Sequence, residues 1–143
     1  TDEAADAFRR VLELEPGHAD ALNNYAYLLM SSGQLDEAKR YYRKAIESRP
    51  DHRRAHFNLG RILVNQEKIW EAIVPLRQTL TPEDAETPRC TYALAAALAR
   101  VGVREEALKY MVEAEEKARA RGQLELVEAI ERDRRRLEQE GNR

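Results

Sequence analysis

Apolar and small residues recur along the chain at the spacing of one face of an α-helix. The first such set is Leu22, Tyr25, Ala26 and Leu29, whose intervals of three and four positions are helical. The same spacing returns in two later sets, His56, Leu59, Gly60 and Leu63, and Thr91, Leu94, Ala95 and Leu98. The pattern therefore predicts three helices of similar construction, each with one buried face.

A second kind of set, small–large–small, alternates with the first and predicts a partner helix for each. Its members are Ala4-Phe8-Val11, Ala38-Tyr42-Ala45, Ala72-Leu76-Thr79 and Ala107-Met111-Ala114. Alanine and glycine let two helices approach closely, and the larger residues fill the space between successive pairs.

The two kinds of helix repeat with a fixed period. Ala4, Ala38 and Ala72 lie 34 residues apart, and Ala107 follows after 35. Gly33 and Gly102 fall between the two halves of a unit, where a residue in the left-handed conformation ends the first helix. Glu67 takes that place in the third unit. The chain is thus predicted to repeat a helix–turn–helix unit.

These residues resemble the tetratricopeptide repeat (TPR) family, whose unit is a helix–turn–helix of this length. The resemblance implies an all-α fold, a right-handed α-solenoid of antiparallel helix pairs that ends in a C-terminal capping helix. A coiled coil is the natural rival, but it would show a heptad without Gly or Pro at a fixed period. A helical bundle with accidental periodicity is the other alternative.

The family layout divides the chain into five parts. It implies the second helix of a truncated repeat at 1–16, full repeats at 17–50, 51–87 and 88–121, and a capping helix at 122–143. The third part has a lengthened exit loop, in which we place the extra residue of the period. Because the chain opens on the second helix of a pair, we expect it to be the C-terminal part of a longer array.

Two residues depart from the repeat pattern in the third unit. Pro75 removes a hydrogen bond and should bend or loosen its helix. The loop that follows either reshapes the concave groove of the array or reflects neutral drift, and we favour neutral drift. Trp70 stands where the family usually has a polar residue. Packing of its indole against the neighbouring loop is favoured over a partner contact.

Composition excludes several classes of function. The 24 Lys and Arg against 26 Asp and Glu leave a net charge of −2, which argues against a nucleic-acid binder with a one-signed field. The longest apolar run, Tyr92–Ala99, is too short to insert into a membrane. The single cysteine allows no internal disulfide; it suits a reducing cytoplasm but also permits export, so the compartment stays open.

No catalytic constellation is visible in the sequence. Cys90 has no histidine near it and is expected to pack, and His52 and His56 lack further ligands for a metal. Four arginines within 132–136 are flanked by glutamates and predict a solvated face. We therefore expect no enzyme activity, cofactor or metal.

The first helices of the pairs should line a concave wall, and this wall is the candidate peptide site. Its predicted residues are Asn23, Asn24, Tyr27, Arg54, Phe57, Asn58, Arg61, Arg89, Tyr92 and Arg100. Amides can bond a peptide backbone, arginines can hold carboxylates, and aromatic rings offer apolar surface. The two asparagines at 24 and 58 could equally serve to pack neighbouring helices. The carboxylate clamp of chaperone-binding relatives is incomplete in either repeat frame.

The favoured function is a scaffold that binds an extended, acidic peptide or protein segment in the groove. Two alternatives stay open: a structural segment that self-associates, and a segment that presents substrate to an enzyme domain elsewhere in a parent protein.

Overall fold

The computed structural model describes residues 2–142, which form eight α-helices and no strand. The helices are α1 (Asp2–Leu14), α2 (Ala19–Ser31), α3 (Leu35–Ser48), α4 (Arg53–Asn65), α5 (Ile69–Arg77), α6 (Thr87–Arg100), α7 (Arg104–Ala120) and α8 (Leu124–Glu140). Consecutive helices pack as antiparallel pairs into an α-solenoid, as predicted, and α8 packs on the last pair. Thr1 and Arg143, the outer ends of the predicted parts 1–16 and 122–143, lie outside the described residues; the division into parts stays a prediction.

The turns inside the pairs need a backbone conformation that L-residues disfavour. Gly33 and Gly102 have φ of +82° and +81°, so the predicted left-handed turn positions are confirmed. Glu67 adopts φ of +60° at the equivalent place, where a side chain is tolerated at a cost. The turns therefore keep one geometry although one of them lacks glycine.

The turns between pairs use histidine as the helix cap. Nδ1 of His18 accepts a hydrogen bond from the Ala21 N–H at 3.1 Å, and Nδ1 of His52 accepts one from the Ala55 N–H at 3.2 Å. Each ring thus satisfies one of the free N–H groups at the start of α2 or α4.

The predicted packing positions form the core. From α2 to α7 the small residues of both helix types are buried, and the large residues Tyr42, Leu76 and Met111 are at most 2% exposed. In α1 the predicted packing is incomplete, because Ala4 and Phe8 are only partly buried and Val11 is 36% exposed. Gly60 permits a close approach of α4 to α5, since a Cβ there would lie 2.7 Å from Cγ of Leu76. This contact explains why α4 carries glycine where its counterparts carry alanine.

Helix α5 has nine residues because it ends soon after Pro75, whose ring removes one N–H from the helix. The segment 78–86 that follows is therefore non-helical. Its first five positions, 78–82, correspond to positions 44–48 of the preceding repeat, which are the helical end of α3. Segment 78–86 has nine residues, against the four residues 49–52 between α3 and α4. The placement of the extra residue of the period in this loop stays a prediction.

Trp70 lies on the exposed face of α5. Its side chain is 65% exposed, and Val74, one turn later, is 68% exposed. The expectation of a packed indole is thus wrong. No helix within residues 2–142 is both long enough and apolar enough to span a bilayer.

Candidate peptide-binding groove

A groove of about 710 Å³ runs along α4, with α2 on one side and the start of α6 and segment 78–86 on the other. The structure brings eight of the predicted site residues together around it: Asn23, Asn24, Tyr27, Arg54, Phe57, Asn58, Arg61 and Arg89. We call this space the groove. α4 contributes lining residues from Arg53 to Arg61, so the groove follows that helix for about 12 Å.

Tyr92 and Arg100, the other two predicted site residues, lie outside the groove. The hydroxyl of Tyr92 donates a hydrogen bond to the Asp133 carboxylate on α8. Burial, with the neighbouring carboxylate, raises the pKa of Tyr92 to about 12. Arg100 forms an ion pair with Glu67 at 2.6 Å and borders a separate space of about 380 Å³ between α6 and α8. Both side chains are therefore engaged within the chain.

The groove carries more positive than negative charge. Five arginines and three carboxylates line it. Each carboxylate already has a cationic partner: Asp20 pairs with Arg49 at 2.9 Å, Asp84 with Arg53 at 2.6 Å, and Glu86 with Arg89 at 2.9 Å. Asp84 and Glu86 reach the groove from segment 78–86, which precedes α6.

The pKa values of two groove carboxyls reflect these partners. The hydrogen bond from His52, at 2.8 Å, and the charge of Arg49 hold the pKa of Asp20 below its ordinary value. The Arg53 guanidinium does the same for the pKa of Asp84. Both carboxylates are thus stabilised in their charged form by groups of the chain itself.

Two arginines on α4 remain without an ion pair to any carboxylate in the described part of the chain. They are Arg54 and Arg61, and both are exposed. Arg61 has one neighbour of note, since its Cζ lies 5.9 Å from the centroid of the Phe57 ring. The excess charge of the groove is therefore located on these two side chains.

The aromatic residues of the groove differ in how accessible they are. Phe57 is only 8% exposed, and Cζ of Arg89 lies 4.6 Å from its ring centroid. Its ring therefore supports the guanidinium groups and offers little free surface. Tyr27 is 50% exposed and is the aromatic surface that a ligand could contact.

The asparagine side chains are partly used inside the chain. Asn23 is 4% exposed, and its Nδ2 donates to Oδ1 of Asn24 at 3.3 Å. Oδ1 of Asn23 is buried with no hydrogen-bond partner in residues 2–142. Asn58 lies near the hydroxyl of Tyr42, whose pKa burial raises. The alternative that asparagines of this wall serve to pack neighbouring helices thus applies to part of the group Asn23, Asn24 and Asn58.

Segment 78–86 is held against α4 by Arg53. The Arg53 Nη1 binds Asp84, its Nε donates to the Thr81 carbonyl at 3.3 Å, and its Nη2 donates to the Pro82 carbonyl and to Oγ1 of Thr87. Pro82 and Asp84 line the groove as a result. This placement favours a reshaped groove over neutral drift, the alternative preferred from the sequence.

Comparison with known families decides the classification of the repeats. Two models, each described as a tetratricopeptide repeat, match residues 26–85 and residues 1–41. The chain belongs to the tetratricopeptide repeat family. No curated protein matches the chain in sequence.

Solved TPR structures resemble the chain over most of its length. YrrB, described as a TPR protein with an unusual peptide-binding site, is 28% identical with a TM-score of 0.71, and the match covers 78% of this chain and 57% of YrrB. PilF of Pseudomonas aeruginosa is 24% identical with a TM-score of 0.71, over 82% of this chain and 63% of PilF. The chain thus spans about three fifths of each of these two proteins.

A third TPR structure matches over nearly its whole length. The type III secretion translocator chaperone SycD of Yersinia enterocolitica has a TM-score of 0.77 at 18% identity, over 87% of this chain and 86% of SycD. At this identity, as for PilF, the likeness concerns the fold.

Other titratable groups near the TPR groove serve the fold. Cys90 is 1% exposed, and burial raises the pKa of its thiol. Nε2 of His56 lies 2.7 Å from the Pro50 carbonyl, while His52 faces Asp20, so the two rings have separate partners. Within residues 2–142 no three His, Cys, Asp or Glu side chains are grouped so as to hold a metal ion.

Sequence reasoning missed the groove residues that come from turns and helix starts. They are Arg49, His52, Arg53, Pro82, Asp84, Glu86 and Cys90. The one available signal was the departure from the repeat pattern at Pro75, since a shortened helix leaves residues free to reach the groove.

Proposed function

We propose that this TPR chain is a protein-interaction module that binds an extended, acidic peptide segment of a partner in the groove. The observation that supports this most is the pair of exposed arginines, Arg54 and Arg61, which have no carboxylate partner within residues 2–142. Every carboxylate of the groove is already neutralised, so an anionic ligand meets net positive charge.

Three further features fit a peptide. Tyr27 offers a half-exposed ring for an apolar side chain. Oδ1 of Asn23 lacks a donor and could accept a backbone N–H after a small side-chain movement. YrrB, the similar TPR structure, is described as having a peptide-binding site of its own. The proposal assigns no catalytic role to the chain.

The test compares fluorescently labelled octapeptides with blocked ends, rich in Glu, in Gln or in Lys, by fluorescence anisotropy. We expect the Glu peptide to bind most tightly and its affinity to fall with added salt, because exposed charges are screened. The double substitution Arg54→Glu with Arg61→Glu should abolish that preference.

The matched control is Arg10→Glu with Arg43→Glu, which changes the net charge by the same amount at exposed positions outside the groove. It should leave peptide binding nearly unchanged, and both variants should unfold near the wild-type temperature. Equal losses in the two variants, or no binding of any peptide, would exclude the groove as an acidic-peptide site.

Self-association is a second candidate because Trp70 and Val74 form an exposed apolar pair on α5. Sedimentation velocity of wild type and Trp70→Glu over a wide concentration range tests it. A wild type that stays monomeric throughout would rule this candidate out.

A further inference from the structure

The two unpaired arginines have a defined spacing on α4. Arg54 and Arg61 are seven positions apart in one uninterrupted helix. Seven residues advance the helix by about 10.5 Å and rotate it by nearly two full turns, so both side chains leave the same face. Asn58 lies between them on this face. The groove therefore presents two separate cationic positions about 10 Å apart.

This spacing selects among ligand conformations. In a polyproline II segment, residues i and i+3 lie on one face and about 9.3 Å apart. In a β-strand, same-face residues lie about 6.6 Å apart at i+2 and about 13 Å apart at i+4. The polyproline II spacing of three residues fits the two arginines best among extended forms.

An α-helical ligand with acidic residues at i and i+7 would match the distance too, but with its side chains it is about 10–12 Å across. An extended backbone is the smaller occupant of a groove that α2 borders on one side and Pro82 and Asp84 border on the other.

The geometry points to a ligand with two acidic side chains three residues apart in a polyproline II segment, one bound by Arg54 and the other by Arg61. The inference rests on the proposed function and adds the spacing and conformation of the ligand. The other three groove arginines are already paired: Arg49 with Asp20, Arg53 with Asp84, and Arg89 with Glu86.

The test uses blocked peptides of constant length and net charge. Each carries two Glu residues in a Pro- and Gln-containing background, with the second Glu placed one to seven positions after the first. Anisotropy titration of the full chain should show the tightest binding at a separation of three. We expect peptides with a separation of two or four to bind about three- to fivefold more weakly, which is the contribution of one exposed ion pair to the affinity.

Charge reversal then assigns each acidic residue to one arginine. Two hybrid peptides, Lys-x-x-Glu and Glu-x-x-Lys, are titrated against Arg54→Glu and against Arg61→Glu. We expect each variant to prefer a different hybrid, which also gives the direction of the ligand along α4. The control Arg43→Glu should still prefer the Glu-x-x-Glu peptide, as wild type does.

The outcomes separate the two proposals. Equal affinity at every separation, or the same hybrid preference in both variants, overturns the spacing and leaves the proposed function standing. A maximum at a separation of seven overturns the polyproline II assignment in favour of a helical ligand. Failure of wild type to bind any acidic peptide overturns both proposals.

Discussion

The imidazole of His52 joins two helices of the groove. Its Nε2 lies 2.8 Å from Oδ1 of Asp20 on α2, while its Nδ1 accepts a hydrogen bond from the Ala55 N–H at the start of α4. Because Nδ1 is the acceptor, Nε2 carries the hydrogen and donates a hydrogen bond to the carboxylate. One buried ring thus caps α4 and fixes its position relative to α2.

Replacement of His52 should destabilise the fold more than replacement of its repeat counterpart. His52→Ala removes both the cap and the bond to Asp20, and we expect a loss of about 2 kcal/mol in the free energy of unfolding. His18→Ala removes only a helix cap and should lower the free energy of unfolding by about 1 kcal/mol. Urea denaturation measures both. A His18→Ala loss as large as that of His52→Ala would show that the bond to Asp20 adds nothing.

The lowered pKa of Asp20 predicts an acid-dependent loss of stability. Because the pKa of this carboxyl is lower in the folded chain than its ordinary value of 3.8, the folded state favours the charged form. The resulting stabilisation is present above the unfolded pKa and is lost as the pH falls through the folded pKa.

Asp20→Asn should therefore flatten the decline of the free energy of unfolding below about pH 4. Urea titrations at a series of pH values measure this. Asp51→Asn, an exposed carboxylate in the neighbouring turn, is the matched control and should keep the wild-type slope. Identical slopes for Asp20→Asn and wild type would contradict the assignment.

Arg53 should control the order of segment 78–86 and not the stability of the helices. Arg53→Gln removes the ion pair to Asp84 and the bonds to the Thr81 and Pro82 carbonyls. We expect faster hydrogen exchange of the amides in 81–87 and weaker binding of acidic peptides, because this segment borders the groove. Mass spectrometry of exchanged peptides measures the first effect.

The neighbouring Arg54 offers a control for that experiment. Arg54→Gln removes a side chain that forms no hydrogen bond or ion pair with segment 78–86 in the described part of the chain, so hydrogen exchange of the amides in 81–87 of this variant should match wild type. Unchanged exchange in Arg53→Gln would show that other contacts hold the segment, such as those of Lys117 with Glu83 and of Gln123 with the Ala85 carbonyl.

Gly60→Ala should destabilise the chain although alanine favours helices. A Cβ at position 60 would lie 2.7 Å from Cγ and Cδ2 of Leu76, and overpacking costs about 1–3 kcal/mol, against a gain of about 1 kcal/mol in helix propensity. Thermal and urea unfolding measure the net effect. In a Leu76→Ala background the same substitution should be neutral or stabilising, and an equal loss in both backgrounds would place the cause elsewhere.

The repeat architecture could be predicted from the sequence because its determinants are local and periodic. The intervals between Leu22, Ala26 and Leu29 define a helix face, and the positive φ of Gly33 ends the helix. Eight of the ten predicted site residues line one groove for the same reason, since helical spacing determines which side chains share a face.

Only the tertiary structure decided which of those side chains are available to a ligand. Tyr92 is bound by Asp133, 41 residues away, and Arg53 by Asp84, 31 residues away. Such pairings depend on where Pro75 ends α5 and how α8 packs, and no local spacing encodes them. The sequence determined which helix faces the arginines occupy. The packing determined that Arg54 and Arg61 form no ion pair with a groove carboxylate, because each of these carboxylates has another cationic partner.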